Sequence, residues 1–467
     1  MTLEAYFATF RSQVIGIDQT FESPYGEKKI LYADWTASGR AYGPIEDYIQ
    51  THILPYAANT HTGSTVTSTI ISKAYEDAKA AIKEHVNASE NDVLLFCGSG
   101  MTAAVNKLQR ILGLRIPERL KDYLTKGASF AEVDEVKRPV VFVTDMEHHS
   151  NHTSWLETIA TVEIIGSDEN GNVNLEHFKQ LLAQYRHRPN KIAAVTACSN
   201  VTGIETPYHQ IAKLIHEQGG LCFVDFACSA PYVSIDMHPQ ERDAQLDAIY
   251  FSAHKFLGGI GTPGILIFNS QLYTNTVPDH PGGGTIAYSN PWKTHQYIAD
   301  IETREDGGTP PLLQGIKAGL CIRLKEQMGT ANIRCREREL LTICFERFKQ
   351  IKNIWVLESK IIERLGVVSF IIQDAHYNLV VELLNDRFGI QTRGGCSCAS
   401  TYGHRLLQVT SEKSNEIWKS IKEGDLLAKP GWIRLSLHPI MTDLEVNFIM
   451  DAVEAIANDF HGYANAH

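Results

Sequence analysis

The sequence predicts an α/β protein: a mainly parallel sheet between helices, followed by a smaller α+β C-terminal domain. Three observations carry this. Short β-rich runs alternate with longer helical patterns between about residues 90 and 270, and the pattern changes after Pro310-Pro311. The chain is also 467 residues long, with 43% hydrophobic and 21% charged residues, enough to bury a large core. The runs are DVLLFC (92–97), PVVFV (139–143), KIAAVTAC (191–198), LCFVDF (221–226), DAIYF (247–251) and PGILIF (263–268). Near-continuous apolar runs of this length suit strands buried on both faces. Helical candidates between them are Met101–Leu112, Leu175–Arg186 and Tyr208–Gln218. Upstream, residues 69–86 place Ala74, Ala78, Ala81 and Ile82 on one stripe of an amphipathic helix. Residues 113–138 are charged, carry Pro117 and Gly127, and read as a surface insertion. Beyond residue 311 the chain is helical to about 350, then gives VVSFII (367–372) and a last helix near 443–458. The expected division is an N-terminal segment, 1–30, packing with the small domain, a large domain, 31–311, and a small domain, 312–467.

Charge and composition exclude several function classes. A net charge of −11 opposes general attraction to nucleic-acid backbones or anionic lipid, so neither is an expected partner. The first residues mix Glu4, Arg11 and Asp18 with apolar residues, unlike a secretory signal, and no run approaches the ~18 apolar residues of a membrane span. Nine scattered cysteines do not form the dense framework of a small secreted domain, and a reducing cytoplasm is the expected location.

In sheets of this kind ligands gather at the carboxyl ends of strands. The run 92–97 leads into Gly98-Ser99-Gly100-Met101-Thr102 and a helix. That is either an anion site made of helix N–H groups or a tight turn capped by Ser99 or Thr102. Asp225 follows the apolar LCFV and is either a buried carboxylate needing a positive partner or a cap. Lys255, in Ser252-Ala253-His254-Lys255 before Gly258-Gly259-Ile260-Gly261, is either an amine nucleophile or a surface lysine. Together, a phosphate cradle, a carboxylate for a pyridinium nitrogen and a Schiff-base lysine are the parts that pyridoxal 5′-phosphate requires.

From Tyr32-Ala33-Asp34 to the C-terminal region the sequence resembles the class V branch of fold-type I pyridoxal-phosphate enzymes, within it the cysteine desulfurase and selenocysteine lyase group. The resemblance includes Asn59-Thr60-His61, the Gly98–Thr102 loop, Met146-Glu147-His148-His149-Ser150-Asn151, Ser199-Asn200-Val201-Thr202-Gly203 and Val224-Asp225. It continues through Ser252–Lys255, Gly282-Gly283-Gly284-Thr285, Gly308-Thr309-Pro310 and Arg393–Cys398. It implies a seven-stranded sheet in the large domain, with Lys255 holding the cofactor as an aldimine, Asp225 on the ring nitrogen, His148 stacked on the ring and Asn200 near the ring oxygen and substrate. Thr102, Ser252, His254 and the backbone at Gly100 and Met101 would bind phosphate. In a homodimer with shared active sites, Thr285 and Thr309 would reach the partner's phosphate. Arg434, in the apolar Gly431-Trp432-Ile433-Arg434-Leu435-Ser436, would clamp the substrate carboxylate through its guanidinium fork, with Arg393 as a second candidate. No second ligand cluster of suitable spacing accompanies His148-His149, so no metal site is expected.

The resemblance also places Cys398, five residues after Arg393, as a nucleophile on a mobile loop. It would take sulfur or selenium from the amino acid, leave alanine, and pass sulfur to an acceptor protein. An aminotransferase or C–S β-lyase not using Cys398, and a non-catalytic dimeric scaffold, are the alternatives. Three features depart from the family pattern. Cys396-Ser397 stand where two histidines usually precede the cysteine, Cys228 stands in the place of a glutamine, and the stretch from Cys398 to Arg434 is longer.

Overall fold

The structure is a computed structural model that describes residues 2–58, 64–123 and 135–465. Asn59-Thr60-His61 and the middle of the 113–138 segment lie outside the described residues. The flanks of that segment form short turns at Glu118–Tyr123 and Glu135–Lys137.

Seven strands form the large sheet: β1 (Asp92–Cys97), β2 (Val140–Thr144), β3 (Thr161–Ile165), β4 (Lys191–Thr196), β5 (Leu221–Asp225), β6 (Ala248–Ser252) and β7 (Gly264–Asn269). Their order is β1-β7-β6-β5-β4-β2-β3. Pairings from β3 to β6 are parallel, whereas β7 runs antiparallel to β1 and β6. The reversal has a local cause: the short, glycine-rich link from β6 to β7 holds no crossover helix of the kind a parallel return needs. The expected mainly parallel sheet is present, and β3 is the strand that the apolar runs do not mark. It is an edge strand whose TVEII sequence is mostly half-buried, so its polar residues break the apolar signal.

Burial on both faces explains the continuous runs. Alternate residues separate into two clusters, with Leu94, Phe96, Phe142, Val195 and Ile249 on one face and Val93, Leu95, Val141, Phe223 and Leu266 on the other. The covering helices include α2 (Val66–His85), α3 (Met101–Ile111), α4 (His149–Leu156), α5 (Leu175–Gln184) and α6 (Tyr208–His216), while α1 is Leu3–Arg11. The expected helices end one to two residues early, where the last turns fray.

After residue 311 come α7 (Leu312–Met328) and α8 (Thr330–Phe348), then an antiparallel sheet in the order β8 (Ile354–Val356), β9 (Val367–Ile372), β11 (Trp432–Ser436), β10 (Arg393–Gly395). Helices α9 (Tyr377–Phe388), α10 (Ser400–Leu406) and α11 (Asp443–Asn458) accompany it. A reciprocal capping box of Thr442 and Glu445 starts α11. The N-terminal chain is tied here: Arg11 pairs with Glu445 at 2.5 Å, and Leu31–Tyr32 runs parallel to Ile390–Gln391. Ser436 N–H donates to Ala33 O at 2.8 Å, which lays Asp34 beside β11. Among the described residues, no helix is long and apolar enough to cross a membrane.

Candidate active site

A cavity of about 690 Å³ opens where β1, β4, β5 and β6 end, walled on its far side by β10, β11 and the Cys398 loop. At its floor the chain leaves β1 through Gly98, whose φ of +45° and 2.8 Å approach of an added Cβ to Ala103 Cβ both require glycine. Gly100 then caps α3 with no side-chain hydrogen bond, so neither Ser99 nor Thr102 serves as a cap. The new helix presents Gly100, Met101, Thr102 and Ala103 to the cavity. Met101 N–H donates to Ser252 Oγ at 2.8 Å, and Thr102 Oγ1 lies 2.7 Å from Ser150 Oγ. A Cβ on Gly100 would sit 3.1 Å from Ser252 Oγ and 3.6 Å from His254 Nε2, so glycine keeps this corner open.

Asp225 ends β5 with its carboxylate buried, accepting Ala227 N–H at 2.8 Å. Burial raises its pKa to about 6, against the lowering pull of Ala227 N–H and of the charge of Lys255. Lys255 closes the single turn Ala253–Lys255 after β6, and burial lowers its ammonium pKa against the pull of Cys228 and Asp225. His148 caps α4: Ser150 N–H donates to its Nδ1 at 3.1 Å, which puts the ring proton on Nε2. Burial, then the charge of Lys255, depresses it to about 3, so the ring is neutral. Asn200 Nδ2 donates to Ser397 O at 2.8 Å, while its Oδ1 is buried with no hydrogen-bond partner.

Strand pairing sets Arg393 directly opposite Arg434, a juxtaposition that like charges disfavour. Asp34 offsets it: Arg434 Nη2 donates to one carboxylate oxygen at 2.7 Å and Arg393 Nε to the other at 3.0 Å. Arg434 Nη1 donates to Asn200 O at 3.1 Å, and its Nε is buried without a partner. Arg434 is 3% exposed, whereas the Arg393 side chain is half exposed. Asp34 belongs to the stretch that carried the resemblance but had no role there. Its two partners are more than 350 residues away, so no local pattern announces it.

Ser397 and Cys398 line the cavity, on a loop that several hydrogen bonds hold in this structure. Both residues are left-handed, φ +53° and +55°, a conformation costing L-residues roughly 1–2 kcal/mol each. Anchors offset the cost: Asn200 holds Ser397 O, Trp432 Nε1 donates to Ser397 Oγ at 3.2 Å, and His149 N–H donates to Cys398 O at 2.7 Å. Behind the loop α10 docks on the α4 side through Ser400 N–H to His149 Nε2 at 3.1 Å, Thr401 Oγ1 near His152 Nδ1 at 3.1 Å, and Arg405 with Asp145 at 3.1 Å.

Within one chain, Gly100, Met101, Thr102, His148, Asn200, Asp225, Ser252, His254, Lys255, Arg393, Cys398 and Arg434 all line this cavity. Thr285 and Thr309 do not. Thr285 is buried, with Oγ1 donating to Gly282 O at 2.7 Å, and Thr309 lines a neighbouring hollow with Gly98 and Pro310. Sequence reasoning missed Thr36, Ser150 and Cys198 in the wall. Cys198 and Cys228 are buried there, and each donates to Ser199 O, at 3.6 and 3.8 Å.

The family model described as Aminotransferase class-V matches residues 128–449. A probable cysteine desulfurase of Staphylococcus aureus (strain COL) is 29% identical over 405 residues, 86% of this chain and 91% of the relative. Another from Halalkalibacterium halodurans is 27% identical over 409 residues, 86% and 92% of the two chains. Among solved structures, a cysteine desulfurase from Thermococcus onnurineus NA1 superposes with a TM-score of 0.75 at 21% identity, covering 96% of this chain and 98% of its own. One from Escherichia coli gives 0.74 at 18%, covering 97% and 98%. The structural likeness establishes a common fold, and the family match over most of the sequence shows that this chain belongs to the class-V aminotransferases, a family of pyridoxal-phosphate-dependent enzymes.

Proposed function

We propose that this chain removes sulfur from cysteine, or selenium from selenocysteine, to leave alanine, with Cys398 as the acceptor and pyridoxal 5′-phosphate as cofactor. The observation that carries the reading is that Cys398 opens onto the same cavity as Lys255, Asp225, His148 and the uncapped start of α3. The residues fit the cofactor in three respects. The Gly100 corner is open beside helix N–H groups, Asp225 is a buried carboxylate whose pKa stays raised despite the charge of Lys255, and Asn200 Oδ1 is buried without a partner.

When bound, the cofactor supplies an electron sink for the charge left at the substrate Cα. The N–H of Thr102, with the side chains of Thr102, Ser252 and His254, would hold its phosphate, Ser252 Oγ being itself oriented by Met101 N–H. Asp225 keeps a proton on the ring nitrogen, because a cation there stabilises a carboxylate that burial otherwise disfavours. Neutral His148 offers a flat ring face, and the lowered ammonium pKa of Lys255 lets Nζ take and return the Cα proton. Arg434 and Arg393 orient the substrate carboxylate. Cys398 Sγ bonds to the substrate sulfur as its C–S bond breaks, leaving a persulfide on the protein.

The reading includes a homodimer, in which Thr309 would serve a partner's phosphate, and Thr285 would do so only once released from its buried contact with Gly282 O. It also includes a sulfur-acceptor protein and a reducing cytoplasm, in keeping with nine unpaired cysteines. The test is reconstitution with pyridoxal 5′-phosphate and assay of L-cysteine for alanine. The expected result is a yellow absorbance lost in Lys255→Ala, and alanine formation falling at least ~100-fold in Cys398→Ala. Undiminished alanine formation in Cys398→Ala would overturn the acceptor role and leave the lyase or aminotransferase alternative.

A further inference from the structure

The loop carries a second thiol that this reaction does not use. Cys396 stands two residues before Cys398 in a turn closed by Ala399 N–H donating to Cys396 O at 3.0 Å. Two residues of chain span at most about 7 Å, close to the Cα separation across which two cysteine sulfurs can bond. Ser397 and Cys398 reach the cavity wall, whereas Cys396 packs half-buried against the core behind it.

Cys396 is also wired to a base. Ser400 Oγ–H donates to Cys396 Sγ at 3.9 Å, and the same Oγ lies 2.9 Å from His149 Nε2. A hydroxyl has one proton and two lone pairs and rotates, so Ser400 can accept the Cys396 proton and turn its own toward His149 Nε2, which must then release the Ser400 backbone N–H it accepts at 3.1 Å. Burial lowers the His149 pKa and keeps its ring neutral. The backbone N–H of the same histidine holds Cys398 O, within the turn.

We propose that Cys396 is a second sulfur carrier: it takes the sulfane sulfur from the Cys398 persulfide and frees Cys398 for another turnover. The proposal rests on Cys398 as first acceptor. In the step, Cys396 loses its proton through Ser400 Oγ to His149 Nε2, and its Sγ attacks the outer persulfide sulfur. A new S–S bond forms at Cys396 while the one at Cys398 breaks, and the electron pair of the broken bond leaves on Cys398 as thiolate. One persulfide replaces another, with no net oxidation or reduction. Without an external acceptor, each site can then turn over twice.

The experiment mixes the reconstituted holoenzyme with L-cysteine in the absence of reductant, quenches at intervals with a thiol-alkylating reagent, and measures alanine and the mass of the loop peptide. The expected burst is about two alanines per site, with sulfane sulfur on Cys398 first and on Cys396 later. In Cys396→Ser and Cys396→Ala the amplitude should halve, with all sulfane sulfur on Cys398. Ser400→Ala should slow the second phase more than the first. A wild-type burst of about one alanine, with Cys396 never carrying sulfur, would overturn the relay but leave Cys398 as acceptor. An undiminished burst in the Cys396 variants would overturn it too, because extra sulfur would then be stacking on Cys398. A wild-type burst retained in Cys398→Ser would remove the acceptor reading and the relay together.

Discussion

A guanidinium at 3% exposure needs several acceptors, and Arg434 has two, Asp34 and the Asn200 carbonyl. Its Nε has none, which leaves unmet hydrogen-bonding capacity beside the cavity. A carboxylate arriving there would share the fork with Asp34. Lysine offers charge without the planar fork, and it would lose one of the two anchors. Arg434→Lys is therefore expected to raise KM for L-cysteine by ~10–100-fold with a smaller change in kcat. Steady-state kinetics on the reconstituted enzyme checks this, and an unchanged KM would show that the substrate carboxylate is held elsewhere. Asp225 is legible in the sequence as a polar residue at the end of an apolar run. The structure adds the backbone N–H that its carboxylate accepts two residues on and a pKa raised by burial.

At the scale of elements, the site depends on how closely β10 approaches β11. Gly431, just before β11, lies so near β10 that an added Cβ would be 2.6 Å from Tyr377 Cε1 and 2.7 Å from Gly395 Cα. These are ring and backbone atoms that cannot swing aside. Gly431→Ala must push β10 outward, carrying Arg393 and the turn that bears Cys398 with it. Since misplacement by about 1 Å can cost ~100-fold in rate, kcat/KM for alanine formation should fall by ~10-fold or more while cofactor absorbance is retained. Loss of absorbance in parallel would mean that the substitution disturbs the large sheet instead. The turn itself illustrates the limit of local signals. Nothing in Cys396-Ser397-Cys398 favours two consecutive left-handed residues, and only anchors from α4, β11 and Asn200 impose them.

For the molecule as a whole, buried histidines couple the fold to pH. His438 stacks on Trp35 at 4.1 Å and burial depresses its pKa to about 3; His85 is held at about 3 by burial and then by the charge of Lys325. Their folded pKa values lie below the unfolded value near 6.5, so their stabilisation is present above about pH 6.5 and declines as pH falls through that range toward 3. The urea midpoint of the cofactor-free protein should drop between pH 7.5 and 5, with a shallower slope in His438→Gln. A midpoint level across that interval would contradict the assignment. The sequence by itself determined the sheet strands buried on both faces, because continuous apolar runs have few other uses. It also determined the strand-end placement of Asp225, Lys255 and the Gly98–Thr102 turn, since those signals are adjacent in the chain. Tertiary structure alone decided the edge strand β3, the anchors that hold the cysteine loop and the sharing of Asp34 between Arg393 and Arg434. It alone set Ser400 between Cys396 and His149. These depend on groups brought together from distant parts of the chain, and hydrogen bonds between such groups leave no periodicity or local composition to read.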